Sequence, residues 1–139
     1  MPTMAARDAI MQLVQSQARV AKHLDQHLSA QGISLTEYQV LDALSAAPDR
    51  QMRRIDLAKA VNLSASGVTR LLNPMEKIGL VRKESSARDA RVSFVALTEA
   101  GSRTLDESRS RVDQCAALVL QPLHAHQRDQ LTDLISRLR

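Results

Sequence analysis

Tyr38 and Phe94 are the only aromatic residues among 139 positions, and tryptophan is absent. Binders of single-stranded nucleic acid stack bases on aromatic platforms, so that class is excluded. The one cysteine, Cys115, cannot close an internal disulfide and fits a reducing compartment. No apolar run approaches the roughly 20 residues that cross a bilayer, and the first residues lack the basic-then-apolar pattern of a secretory signal. The expectation is a soluble, cytoplasmic protein with no membrane partner. No nucleophile elbow, P-loop, zinc-hydrolase spacing or dinucleotide fingerprint occurs, so no enzyme activity and no cofactor are expected.

What is present is a core-forming aliphatic content and an uneven charge. Apolar residues make up 44% of the chain, enough at this length for one domain or two lobes sharing a core. The net charge of +4 is not spread evenly. Between Arg50 and Arg91 ten Lys/Arg face four acids, whereas the flanks hold nine basic and eleven acidic residues. Segregated cationic charge is the footprint that a phosphate backbone selects.

Periodicity divides the chain further. Ile10, Val14, Ala18, Ala21, Leu24 and Leu28 recur at helical spacing from about Ala5 to Ala30, and Gly32 suits the C-terminal cap. A second helix opens at Thr36-Glu37 and stops before Pro48-Asp49. Gln51 to Arg53 is too short to assign. Ile55 to Ala60 reads as a short helix, and Ser64 has the hydroxyl that caps the next. Val81 to Ser85 and Val92 to Leu97 are strand-like. Thr98 opens a long helix carrying Leu105, Val112, Cys115 or Ala116, and Val119 on one side, which Gln121-Pro122 interrupts. Leu123, Leu131, Leu134, Ile135 and Leu138 stripe a last helix. The terminal stripes can meet each other and still leave apolar surface for a second subunit, so a homodimer is expected.

The middle reads as a helix-turn-helix followed by a cationic hairpin. Leu57, Ala58, Val61, Leu63, Val68, Leu71 and Leu72 hold two short helices together around the turn Asn62-Leu63-Ser64. Ser64, Ser66, Gly67, Thr69, Arg70 and Asn73 are left for the outer face of the second helix. Hydroxyls at a helix N-terminus suit phosphate, because free N–H groups and the helix dipole point the same way. Arg70 can pair with guanine O6/N7, and Asn73 can read adenine or hold a phosphate. Arg53, Arg82, Lys83, Arg88 and Arg91 add cations, the last two at the hairpin tip where a minor groove attracts arginine. Asp89 can brace Arg91 across the turn by a charge-assisted bond. These residues point to double-stranded DNA as the partner. A winged helix that docks a protein is the competing reading, and it would favour apolar or acidic groups where Arg70, Arg88 and Arg91 stand.

Three motifs in order carry a resemblance: Ser64-x-Ser66-Gly67-Val68-Thr69-Arg70, then Met75-Glu76-Lys77-x-Gly79-Leu80-Val81, then Asp89-x-Arg91-x-x-x-Val95-x-Leu97-Thr98-x-x-Gly101. Together they resemble the MarR family of bacterial transcription regulators, and the flanking helices extend the likeness over essentially the whole chain. The resemblance implies a mainly α fold with a small antiparallel β-hairpin wing, a winged helix-turn-helix joined to a helical dimerisation lobe. On that plan residues 1–139 form one domain, with the DNA-binding lobe at 34–97 and the dimerisation lobe at 5–31 and 98–139. It implies a homodimeric repressor on a pseudo-palindromic operator, a recognition helix from about Ser64 to Lys77, and Arg91 as the minor-groove arginine. Pro74 departs from the family pattern. In mid-helix it removes the N–H that would reach the Arg70 carbonyl, and it is expected to bend the helix.

The resemblance also implies a small-molecule effector between the two lobes. Arg19, His23 and Tyr38 are candidate lining residues, with a core Tyr38 and a solvated Arg19 as the alternative. Cys115 sits on an apolar stripe, which favours a buried helix residue over an oxidant sensor. His23 and His27 share a helix face, yet no third ligand completes a metal set, and surface histidines are expected.

Overall fold

A computed structural model describes residues 2–86, 88, 89 and 91–139. The elements run α1 (Pro2–Leu28), α2 (Leu35–Ala46), β1 (Gln51–Arg53), α3 (Arg54–Ala60), α4 (Ala65–Lys77), β2 (Val81–Ser85), β3 (Ser93–Leu97), α5 (Glu99–Val119) and α6 (Ala125–Ser136). A short 3-10 turn follows α1, and Gly32 closes it in the left-handed region at φ 75°. Ser34 and Glu37 then form a capping box, in which Ser34 Oγ accepts from the Glu37 N–H and the Glu37 carboxylate accepts from the Ser34 N–H.

Gln51 to Arg53, which the sequence leaves unassigned, is a third strand. The sheet order is β1-β3-β2, antiparallel throughout, with Met52 opposite Val95 and Lys83 opposite the same residue from the other side. The wing therefore has its returning strand in the middle, and Val95, Ala96 and Leu97 are buried there. The turn before β1 needs two consecutive left-handed residues, Asp49 at φ 56° and Arg50 at φ 53°.

One apolar cluster ties sheet and helices together. Leu28, Val40, Leu41, Leu44, Leu57, Val68, Leu72, Met75, Val95 and Leu105 are essentially inaccessible within it. The terminal regions meet through α1 and α5. They leave a broad apolar surface: Ile10, Met11, Leu13 and Val14 on α1, and Leu131, Leu134 and Ile135 on α6, with Leu138 just beyond it, are all exposed. Cys115 is buried on α5.

Two junctions position the wing. Helix α4 runs through Pro74 and ends in a Schellman motif: Leu80 N–H reaches the Met75 carbonyl at 2.9 Å and Gly79 N–H reaches that of Glu76 at 3.0 Å. Gly79 takes φ 84° to allow it. At the other end of the wing, Thr98 caps α5 by accepting from Gly101 N–H at 3.0 Å. Its hydroxyl faces the Gly79 and Leu80 carbonyls, and its N–H donates to that of Leu80 at 3.2 Å. A Cβ on Gly101 would stand 2.1 Å from the Leu80 oxygen, so only glycine fits this seam.

Candidate nucleic-acid interface

The turn between α3 and α4 is closed by Asn62 at φ 57°, a conformation that asparagine tolerates better than most residues. Ser64 caps α4 by accepting from Gly67 N–H at 3.1 Å, and its hydroxyl lies 3.3 Å from that of Ser66. A Cβ on Gly67 would sit 3.1 Å from the Ser64 oxygen, so glycine leaves the cap room to close. Val68, Leu72 and Met75 anchor one side of α4 in the core. Ser64, Ser66, Arg70 and Asn73 are exposed on the other, while Gly67 and Thr69 are half-buried.

Several of these groups already have partners within the chain. Thr69 Oγ1 accepts from Arg54 Nη1 at 2.8 Å. Asn73 Oδ1 accepts from Lys83 Nζ, and Glu76 Oε2 accepts from the backbone N–H of Lys83 at 3.0 Å. Helix α4 is thus tied to α3 at its middle and to β2 near its end. An asparagine reading adenine offers its carbonyl oxygen to N6–H, and Lys83 already takes one of the two lone pairs of that oxygen in Asn73. Arg70 has no side-chain hydrogen bond or ion pair among the described residues.

Charge is handled pairwise in the same region. Arg53 pairs with Asp56 at 2.9 Å, Arg82 with Glu84 at 2.6 Å and Arg91 with Asp89 at 3.2 Å. Three of the four acids in this basic segment are thereby matched to an arginine within three residues. The unmatched excess falls on Arg54, Lys59, Arg70, Lys77, Lys83 and Arg88, of which Lys59, Arg70, Lys77 and Arg88 are exposed. Exposed pairs of this kind contribute little stability; their effect is to leave the positive charge unneutralised elsewhere.

At the hairpin tip, Ser86 Oγ accepts from Arg88 N–H at 3.2 Å, and Val92 N–H donates to the Asp89 carbonyl at 3.0 Å. Asp89 Oδ1 accepts from both the N–H and the Nε of Arg91, at 2.9 and 3.2 Å. The backbone donor and then the guanidinium hold the Asp89 carboxyl below the ordinary aspartate value. Arg91 itself projects into solvent, its side chain 92% exposed. Ala87 and Ala90, which complete the tip in the sequence, lie outside the described residues. A cleft of about 500 Å³ opens between α3 and the wing, lined by Arg53, Arg54, Ile55, Lys59 and Arg91 among others.

Away from this surface, Arg19 and His23 line a shallow recess of about 320 Å³ with Ser16, Val20 and Val119. Tyr38 is not among its lining residues. The phenol packs against the core from α2, where burial and the nearby Asp42 carboxylate raise its pKa against the opposing influence of Arg109. Cys115 shares a smaller recess with His23 and His27, and burial pushes its thiol pKa up, away from the thiolate. Among the described residues, no three His, Cys, Asp or Glu side chains are grouped to hold a metal ion. No described helix is long and apolar enough to cross a membrane.

Arg54 and Lys83 are the contacts that local sequence reading did not reach. Arg54 meets a residue 15 positions away, and Lys83 meets one 10 positions away. Both depend on how α4 is set against its neighbours, which no local pattern encodes.

The family model described as "MarR family" matches residues 31–92, the helix-turn-helix and most of the wing. An uncharacterized HTH-type transcriptional regulator, YdgJ, from Bacillus subtilis (strain 168) is 30% identical over 108 residues; the match covers 78% of this chain and 65% of that protein. The crystal structure of AbsC, a MarR family transcriptional regulator from Streptomyces coelicolor, is similar with a TM-score of 0.84 at 27% identity, covering 96% of this chain and 88% of that one. A second MarR family regulator from the same organism, solved in complex with DNA, shares the fold with a TM-score of 0.84 at 23% identity, covering 94% of this chain and 86% of that one. The three motifs, the three-stranded winged helix-turn-helix and these relatives agree in their likeness to the MarR family.

Proposed function

We propose that this protein is a sequence-specific DNA-binding transcription regulator, acting as a homodimer and repressing from a pseudo-palindromic operator. The observation that carries the reading is the charge distribution around α4 and the wing. Local acids are consumed by Arg53, Arg82 and Arg91, while Arg70 on α4 and Arg88 at the tip keep exposed guanidinium groups. Arg70 is the group for a guanine edge in the major groove. Arg91, oriented by Asp89, is the group for an adjoining minor groove. Ser64, Ser66 and the free N–H groups at the start of α4 suit a phosphate, and Gly67 keeps that approach open. A relative of the same fold was solved in complex with DNA, which supports the same use of the fold here.

The exposed apolar residues of α1 and α6 support the dimer, because a lone chain rarely leaves so large an apolar surface in water. A homodimer presents two copies of α4, and two half-sites related by symmetry then follow. Repression follows if the operator overlaps the site where polymerase must bind. The recess at Arg19 and His23, beside α5, is the place for an anionic small-molecule effector.

Selection of bound duplexes from a random pool, followed by footprinting, tests the reading. Two inverted half-sites about 10 base pairs apart, or a multiple of that, are expected. Enrichment of no sequence, with binding that tracks duplex length alone, would overturn it.

A further inference from the structure

One side chain of α4 is held in a way that changes what it can read. Thr69 Oγ1 accepts from Arg54 Nη1 at 2.8 Å and donates to the Ala65 carbonyl at 3.1 Å. A hydroxyl has one proton, so the donating capacity of Thr69 is spent inside its own helix. Arg54, the first residue of α3, is half-buried, and its Nε is shielded from solvent with no hydrogen-bond partner among the described residues. Its guanidinium therefore keeps the threonine oxygen on the α3 side of α4. Thr69 lies one turn from the exposed Ser66 and Asn73 and beside Arg70, while Val68 and Leu72 fill the core positions. A threonine Cβ carries an oxygen and a methyl group. With the oxygen turned towards α3, the methyl is the group left for the outer face.

We propose that Arg54 is a positioning residue that turns the methyl of Thr69, and not its hydroxyl, towards the major groove, making Thr69 a reader of the thymine 5-methyl group. The proposal rests on the DNA-binding function proposed above and specifies one base contact within it. Thymine alone carries a methyl group in the major groove, so an apolar contact there discriminates it from cytosine. Burying one methyl group against another is worth a factor of about four in affinity.

The test uses the full-length protein and a duplex selected by it. Each thymine of a half-site is replaced in turn by deoxyuridine, which removes the 5-methyl group and nothing else. At one thymine per half-site the replacement lowers wild-type affinity about fourfold. Thr69→Ser lacks the methyl and brings that ratio to about one, leaving the ratios at other positions as they were. Arg54→Met removes the bond that draws the hydroxyl towards α3, leaves only the one to the Ala65 carbonyl, and lowers the ratio at the same position. Adding Thr69→Val in that background restores it, because valine presents a methyl on either branch. A merely structural Arg54 would weaken both duplexes equally and leave the ratio intact. A ratio of one at every thymine in wild type, or a ratio that survives Thr69→Ser, overturns the thymine contact while DNA binding stands. A ratio that survives Arg54→Met overturns the positioning role. Failure to select any duplex overturns the function on which the proposal rests.

Discussion

Gly101→Ala adds one methyl group at the seam between the wing and the long helix α5. The new Cβ would lie 2.1 Å from the Leu80 carbonyl oxygen and 2.8 Å from Leu97 Cδ1. The oxygen belongs to backbone held by the Schellman motif, so it cannot swing aside as a flexible side chain would. Relief requires the start of α5 to move by about 1 Å, and that movement breaks the bond from the Thr98 hydroxyl to the Gly79 carbonyl and the one from the Thr98 N–H to the Leu80 carbonyl. Overpacking of this kind costs about 1–3 kcal/mol. Loss of the two hydrogen bonds adds about 2 kcal/mol, and the better helix propensity of alanine returns about 1 kcal/mol. The net expectation is a destabilisation of about 2–4 kcal/mol. Guanidinium unfolding followed by far-UV circular dichroism, at one fixed protein concentration, measures it. Gly67→Ala is the control: its nearest neighbour is the Ser64 hydroxyl at 3.1 Å, and a change within about 1 kcal/mol is expected there. Stability equal to wild type in Gly101→Ala would show that the backbone at Leu80 yields to the added methyl group and that the seam is not tightly packed.

Three further outcomes follow from named contacts. Asp89 titrates below the ordinary aspartate value chiefly through the Arg91 N–H, so Arg91→Ala should raise its pKa only part of the way back, as carboxyl carbon NMR can follow. Because the folded value is depressed, the bracing of the hairpin is complete above the ordinary aspartate pKa and is lost as pH falls through the lowered one. A full return to the ordinary value in Arg91→Ala would make the guanidinium the main cause instead. Buried Cys115 should react slowly with a thiol reagent in the native protein and rapidly in denaturant, and peroxide should leave duplex affinity unchanged. Leu134→Glu, together with Ile135→Glu, should convert a dimer to monomer in analytical ultracentrifugation and weaken duplex binding with it, by removing the second half-site contact. A dimer that survives both charges places the subunit interface elsewhere.

Helices and caps were legible because their causes are local. Ser64, Gly67 and Thr98 act within three residues, and β2 and β3 pair across a short connection. Strand β1 was not legible, since three residues carry no periodicity and its pairing with Phe94, Val95 and Ala96 spans more than 40 positions. The left-handed pair Asp49-Arg50 was equally hidden, because neither is the glycine that usually marks such a conformation. The terminal stripes read correctly as apolar, but which of them the chain itself covers depends on α1 lying along α5. In the candidate interface, the sequence supplies residue types and the structure changes their availability. Asn73 and Thr69 are engaged by Lys83 and Arg54, and Arg70 keeps an exposed guanidinium. Tyr38, grouped with Arg19 and His23 by residue type, lies outside their recess because α2 carries it to the core side.

The claim that α4 and the wing together read duplex DNA is tested most directly by equilibrium titration of a selected duplex against a scrambled one, for wild type, Arg70→Ala and Arg91→Ala. A wild-type preference of at least about 10³ for the selected sequence is expected at physiological salt. Affinity should fall steeply as salt rises, as phosphate neutralisation requires. Arg70→Ala should relax the preference at one base position by about 1–3 kcal/mol, and Arg91→Ala should weaken binding with the dimer intact. Equal wild-type affinity for both duplexes, or full affinity in both variants, would contradict it.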